Sequence, residues 1–98
     1  MNADEHQIRS FQLTLHKPLL GLGPKPTVVV DGSAQPAHWG QRNWKVSGTG
    51  SRKVTIFLFN RWWKYGQAEF SVEPGEGQAF SYRPPLLPFL AGKVQRER

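Results

Sequence analysis

Apolar and polar residues alternate along much of this chain. In residues 11–16, three apolar side chains would share one face of an extended strand and three polar side chains the other. Residues 68–73 and 78–83 alternate in the same way. This period of two predicts three half-buried β-strands. Their predicted inward residues are Phe11, Leu13, Leu15, Ala68, Phe70, Val72, Phe80 and Tyr82.

Two other stretches, TVVV at 27–30 and VTIFLF at 54–59, are almost continuous in β-branched and aromatic residues. Runs of this kind are typical of strands covered on both faces, so we predict that both strands are central. A weaker strand is predicted over 42–46, with Trp44 and Val46 facing inward. Trp39 is also expected in the core.

Turn-forming residues separate these strands at intervals of about ten residues. They cluster at 21–26, 31–32, 47–51 and 73–77. The cluster at 47–51 lacks the spacing of a phosphate-binding loop and is interpreted as a hairpin turn. No window has helical periodicity, and eight prolines with ten glycines disfavour long helices. The pattern predicts an all-β, antiparallel sandwich of about 6–7 short strands.

Ninety-eight residues are enough for a single domain. We predict a flexible N-terminus over 1–7, a β-sandwich domain over 8–83, and a proline-rich strap with a basic C-terminal tail over 84–98. Pro84, Pro85 and Pro88 remove ladder donors, so the strap should run extended over the sandwich edge. Its apolar residues Leu86, Leu87, Phe89 and Leu90 either pack on the domain or form a docking segment for another protein. Residues 95–98 are expected to be a solvated tail.

Charge and cysteine content narrow the range of partners. Thirteen Lys and Arg against seven Asp and Glu give a net charge of +6, which favours anionic partners. The absence of cysteine excludes disulfides and thiolate metal sites. The N-terminal residues lack the apolar segment of a signal peptide, so we expect a cytoplasmic protein, with peripheral attachment to a membrane as an alternative.

Catalytic and metal-binding patterns are weak. The histidines have neither metal-ligand spacing nor an associated nucleophile elbow, and the carboxylates of Glu69 and Glu73 lie along one predicted exposed strand face. We therefore predict no enzyme activity, no metal, no cofactor and no small-molecule substrate. The residues considered for catalysis or metal binding are His6, His16, His38, Asp4 and Asp31.

The stretch NRWWKYG, at 60–66, is the most informative for function. In an extended strand Trp62 and Trp63 would point to opposite faces, so a sandwich can bury one of them only. An exposed indole beside basic residues can contact a protein or a lipid headgroup layer. The alternative is that both indoles cap the core. The predicted partner-binding residues are Arg61, Trp62, Trp63, Lys64 and Tyr65.

Two further partners are considered. The first is single-stranded nucleic acid, which an OB-like barrel would bind through the same aromatic residues and through four basic ones. Those basic residues are Arg42, Lys45, Arg52 and Lys53. The second is another copy of the chain, which could pair along an exposed edge strand at 11–15.

The markers PTVVVDG, Trp39-Gly40, VTIFLF and EFSVEPGEGQAFSY resemble the pattern of small β-sandwich domains of the PEGA type. The chain is also similar to a group of small bacterial proteins, many of them actinobacterial and of unassigned function. Those proteins share V-D-G, W-G and Y-x-P-P markers, found here at 30–32, 39–40 and 82–85. The resemblance spans roughly residues 26–92 and implies an immunoglobulin-like or prealbumin-like sandwich that binds a partner without catalysis. It assigns no functional residues, and SGTGSRK replaces the expected P-G-x-H-x-V strand entry.

Overall fold

The computed structural model describes residues 8–18, 24–48, 50–59, 64–75, 77–85 and 92–97. These ranges contain eight β-strands and no helix, and therefore no helical segment of the length and hydrophobicity that crossing a bilayer requires. The strands are β1 (Ile8–Leu15), β2 (Thr27–Val30), β3 (Ser33–Pro36), β4 (Gly40–Ser47), β5 (Arg52–Phe59), β6 (Lys64–Val72), β7 (Gln78–Arg83) and β8 (Lys93–Arg96).

The strands form two four-stranded sheets, which confirms the predicted all-β sandwich. Sheet A has the order β4-β1-β7-β8, and sheet B has the order β3-β2-β5-β6. Neighbouring strands are antiparallel except β1 and β7, which are parallel, so sheet A is mixed. The described strands also outnumber the 6–7 predicted. β3 and β8 have four residues each, and neither has a buried side chain that would produce an alternating pattern.

The apolar residues that alternate in β1 face inward, as predicted. Phe11, Leu13 and Leu15 are buried between the sheets. Three aromatic rings join the two sheets: Phe70 of sheet B stacks on Phe80 of sheet A with centroids 4.2 Å apart. Phe11 meets both of these rings edge-on, at 5.8 and 6.1 Å. Such contacts stabilise a core beyond the area that they bury.

β2 and β5 occupy the centre of sheet B, as predicted. Their inward side chains are buried, but the prediction that both faces are covered is wrong. On the outer face Val29 and Phe57 are only half-buried, and Phe59 is 54% exposed. β-Branched and aromatic residues are favoured in strands by packing against cross-strand neighbours, so a continuous apolar run does not require a second covering layer.

The two tryptophans that were assigned to the core differ in burial. Trp44 is buried, and Trp39 is half-buried and packs against the core. Within the described ranges, the Nε1 atom of Trp44 is buried without a hydrogen-bond partner. Arg42 covers this indole with its guanidinium carbon 4.2 Å from the ring centroid.

β1 is an internal strand, which corrects the expectation of an exposed edge at 11–15. It pairs with β4 along one side and with β7 along the other. A half-buried strand alternates in the same way at the edge and at the centre of a sheet, so the pattern carries no information about strand order. A second copy of the chain cannot pair there while both neighbours are in place.

The turn cluster at 47–51 is not a hairpin, which corrects another expectation. It connects β4 at the edge of sheet A with β5 in sheet B, so these consecutive strands do not pair. The Asp31-Gly32 cluster does form the predicted tight turn between β2 and β3. Both residues have positive φ angles, 52° and 76°, as a two-residue hairpin connection requires.

The C-terminal segment contributes a strand. β8 pairs antiparallel with β7, so Gln95 and Arg96, expected in a solvated tail, belong to sheet A although their side chains are exposed. The Gly92 N–H donates to the Gln67 carbonyl over 3.1 Å and ties this segment to β6. The predicted strap residues at 86–90 lie outside the described residues.

Tyr82 is fully buried, and its hydroxyl donates to the Gly66 carbonyl over 2.6 Å. Burial raises the pKa of this phenol above its usual value, and the nearby Tyr65 raises it further. The folded state therefore holds the proton more tightly than the unfolded chain does. The resulting stability is complete below the ordinary tyrosine pKa of about 10 and is lost as pH rises above it.

We expect the free energy of unfolding, measured with urea between pH 8 and pH 11.5, to fall above about pH 10 because the unfolded tyrosines ionise first. Tyr82→Phe should lower the stability at pH 8 by about 1–3 kcal/mol, since the Gly66 carbonyl loses its partner. The same variant should show a shallower alkaline decline. Equal declines for the variant and the wild type would contradict this assignment.

Candidate functional site

The predicted contact residues lie where β5 ends and β6 begins. Phe59 and Lys64 are direct partners in the sheet, so the chain passes from one strand to the other through residues 60–63. Lys64 and Tyr65 lie within the described ranges, whereas Arg61, Trp62 and Trp63 lie outside them. Whether the two indoles are exposed or cap the core therefore stays a prediction.

The described residues beside this connection form an exposed aromatic and basic surface, which we call the β5 tip: Phe57, Phe59 and Lys64. Phe59 is 54% exposed, and it lies on the same outer face of β5 as the half-buried Phe57. Lys64 is exposed and places its Nζ 4.5 Å from the centroid of the Phe57 ring. This cation–π contact holds the lysine across the outer face of sheet B.

A β-bulge next to the tip sets which side chains face outward. Ile56 pairs with Ala68 and Leu58 with Tyr65, so β6 has one residue more than β5 in this interval. The extra residue reverses the alternation, which turns Tyr65 toward the core and Lys64 toward the outer face. Tyr65 is half-buried and packs against the core, and burial raises the pKa of its phenol. Its ring thus lies on the side of sheet B opposite the tip.

The basic residues considered for nucleic-acid binding do not converge. Lys45 lies on the outer face of sheet A, whereas Lys53 lies on the outer face of sheet B with its Nζ 3.8 Å from a Glu69 carboxylate oxygen. Arg42 is stacked on Trp44. Arg52 Nε is 3.9 Å from Asp31 Oδ1. The described strands also form two separate sheets rather than one continuous barrel.

A second basic site lies on the outer face of sheet A. Arg83 of β7 and Lys93 of β8 stand directly opposite each other. Like charges in this position destabilise a strand pair. They line an open pocket of about 270 Å³ together with Ser81, Val94 and Gln95. Sequence reasoning missed this site because β8 was not predicted.

Arg9 is a buried cation that sequence reasoning also missed. Its side chain occupies an inward position of β1 and is 4% exposed. It donates to the Gly48 carbonyl over 2.8 Å, to the Glu73 carbonyl over 2.7 Å, and to the Gly50 carbonyl. The guanidinium therefore links β1 to the β4–β5 and β6–β7 connections. Since these bonds occupy the guanidinium, Arg9 is a structural group rather than a ligand-binding one.

The loop at 48–51, considered above for anion binding, presents carbonyl oxygens to Arg9. The Gly48 and Gly50 carbonyl oxygens of this loop therefore bind a cationic side chain rather than an anion. His38 is exposed and His16 half-buried. Across the described ranges, no three His, Asp or Glu side chains gather as metal ligands would.

Comparison of the chain with models of protein families, with curated proteins and with solved structures finds no significant match. The PEGA-like resemblance therefore stays a prediction, and function has to be argued from the residues and their geometry.

Proposed function

We propose that this protein is a non-catalytic binding module that contacts a protein or a membrane surface through residues 61–65 and the adjoining β5 tip. The supporting observation is the exposure of Phe59, which is 54% accessible at the point where the chain enters the tryptophan-containing connection. Contiguous exposed apolar area rimmed by polar residues is characteristic of interaction sites, and Phe59 adjoins the half-buried Phe57 and the exposed Lys64 on one face.

The composition of residues 61–65 fits such a contact. Tryptophan and tyrosine combine a large apolar surface with one polar atom, which suits both protein interfaces and the headgroup layer of a membrane. Arg61 and Lys64 add positive charge, and each basic residue near an anionic membrane contributes about 1 kcal/mol. The net charge of +6 acts in the same direction.

The sandwich supplies a rigid support for the contact. The inward side chains of β5, namely Val54, Ile56 and Leu58, are fully buried between the sheets. β5 is also paired on both sides, with β2 and with β6. Binding residues are commonly carried on connections that a rigid scaffold positions.

We also propose, at the level of the fold family, an immunoglobulin-like or prealbumin-like scaffold of the PEGA type. Two features support this assignment: the V-D-G residues at 30–32 connect β2 to β3, and the P-G pair at 74–75 lies between β6 and β7. Both turns have the positions that the resemblance implies.

The test is a Trp62→Ala, Trp63→Ala double variant. We expect it to lose at least three-quarters of the wild-type association with vesicles of three parts phosphatidylcholine and one part phosphatidylserine, or of specific partner recovery, because it lacks both indoles. Cosedimentation measures the first, and affinity capture with quantitative mass spectrometry measures the second.

The matched control is Ile8→Ala, which removes another exposed apolar side chain, 63% accessible. Ile8 pairs with Ser47, whose carbonyl contacts Arg52 at the start of β5. Phe59 is at the other end of that strand, about 23 Å away at the usual rise per residue. The control should bind as the wild type does. Unchanged lipid and partner binding by the double variant, with unchanged thermal unfolding, would overturn the proposal.

A further inference from the structure

β4 leaves one side of its backbone unpaired. All eight of its residues pair with β1 in an uninterrupted register, and β4 is the edge strand of sheet A. In an antiparallel pair, successive residues direct their backbone N–H and C=O groups alternately toward and away from the partner strand. One half of the β4 backbone groups therefore points outward.

Ser47 identifies which half this is. Its N–H donates to Asp31 Oδ2 over 3.1 Å, and its carbonyl accepts from Arg52 Nε over 2.8 Å, so both groups point away from β1. By alternation, the backbone groups of Gln41, Asn43 and Lys45 point the same way. Among the residues that the structure describes, nothing bonds to these outward groups. The edge thus offers three donors and three acceptors at regular spacing.

The other three edge strands, β3, β6 and β8, have features that disfavour pairing with a further strand, and β4 lacks these features. β3 has only four residues and ends at Pro36, and β8 has only four residues. β6 is interrupted by the bulge at Gly66, and its Gln67 carbonyl is occupied by the Gly92 N–H. Short length, proline and bulges are among the usual protections against pairing with another strand. β4 is eight residues long, regular and free of proline.

We propose that the outward edge of β4 binds an extended acidic peptide segment, which adds to sheet A as a fifth strand. The charge of the edge identifies the occupant: β4 contains Arg42 and Lys45 and no acidic residue. Arg42 and Lys45 lie on opposite faces of the strand, so two copies of β4 side by side would place two cations on each face without a compensating charge, and like charges disfavour strand pairing. Strand addition to a free edge is an established mode of peptide recognition.

This surface is separate from the β5 tip. β4 is at the edge of sheet A, whereas the tip belongs to the β5–β6 end of sheet B. Binding at the edge therefore does not depend on residues 61–65, and the double tryptophan variant should retain it.

The experiment uses a capped eight-residue peptide in which pairs of glutamates alternate with valine–threonine pairs, so that each face of the added strand carries glutamates, and it is added to the isotope-labelled full chain. NMR should show shifts and slowed hydrogen exchange for the amides of Gln41, Asn43 and Lys45. A peptide of the same design with lysine in place of glutamate should bind at least tenfold more weakly. The acidic peptide N-methylated at alternate residues should also bind at least tenfold more weakly, because it lacks backbone donors.

A proline substitution tests the backbone of the edge itself. Asn43→Pro removes an outward N–H and leaves the bonds to β1 in place, since proline is tolerated at such edge positions. We expect a Kd at least tenfold higher than that of Asn43→Ala, which keeps the N–H and should bind as the wild type does. If the proline variant does not fold, the N-methylated peptide provides the same comparison.

Three results would overturn the proposal: no amide shifts with millimolar acidic peptide, equal binding of the acidic and lysine peptides, or equal binding of Asn43→Pro and Asn43→Ala. Concentration-dependent dimerisation that Asn43→Pro abolishes would identify a second copy of the chain as the occupant of the edge. That result would also refute the proposal that the occupant is an acidic peptide.

Discussion

Arg9→Met should lower the free energy of unfolding by about 3 kcal/mol or more, one of the two largest effects that we expect in this protein. Methionine fills most of the space, so the loss comes from the Gly48, Gly50 and Glu73 carbonyls that the guanidinium now satisfies. The bond to Gly48 is buried and the other two are partly buried, and a buried acceptor left without a donor costs about 1–3 kcal/mol. Urea unfolding at pH 7 measures the change.

Two further variants provide the comparison. Arg9→Lys keeps the charge but not the planar fork, so it should lose less stability than Arg9→Met does. Arg52→Met removes an arginine whose side chain is 45% exposed and should change the stability by about 1 kcal/mol or less. If Arg9→Met were as stable as Arg52→Met, the structural role of Arg9 would be refuted.

The second large effect is expected for Gly66→Ala. Gly66 has a φ angle of +66°, and a Cβ atom there would lie 2.9 Å from each of three atoms: Leu58 Cδ1, Pro85 Cδ and the Tyr82 hydroxyl oxygen. The left-handed backbone alone costs a non-glycine residue about 1–2 kcal/mol. Crowding in the core adds a cost of similar size, so we expect a total loss of about 3 kcal/mol or more.

Gly32→Ala separates these two contributions. Gly32 has a φ angle of +76°, but nothing lies within 4 Å of a Cβ atom built on it. Gly32→Ala should therefore lower the free energy of unfolding only by the backbone contribution of about 1–2 kcal/mol. The difference between the two variants in urea unfolding measures the crowding around the bulge. Equal losses would show that the space beside Gly66 can relax.

The alternation of apolar and polar residues identified core residues correctly because it depends only on residues that are close together in the sequence. Phe11, Leu13 and Leu15 could be assigned from six consecutive residues, and the structure buries all three. Arg9 continues the same inward face, but its partners lie in two connections distant in the sequence. No local pattern states that three carbonyl groups will converge on it, so its burial could not be predicted.

The alternation of apolar and polar residues also could not predict the order of the strands in the sheets. β8 is short and mostly exposed, and its pairing with β7 depends on where the chain returns after Pro85. The bulge that turns Lys64 outward and Tyr65 inward depends on a left-handed Gly66, and a glycine in a strand is only a weak indication of a bulge. For the candidate site, the residue types at 61–65 could be read from the sequence, whereas the faces on which Lys64 and Tyr65 lie could not.

The parallel contact between β1 and β7 affects the order in which the molecule can assemble. The strands of sheet B all lie between β1 and β7 in the chain, so this sheet can pair completely before β7 has been synthesised. Until β7 has been synthesised, β1 and β4 can form only a two-stranded ribbon, which is marginally stable in water. The apolar side of sheet B remains without its opposing layer during this interval, which is when the nascent chain is most prone to aggregation.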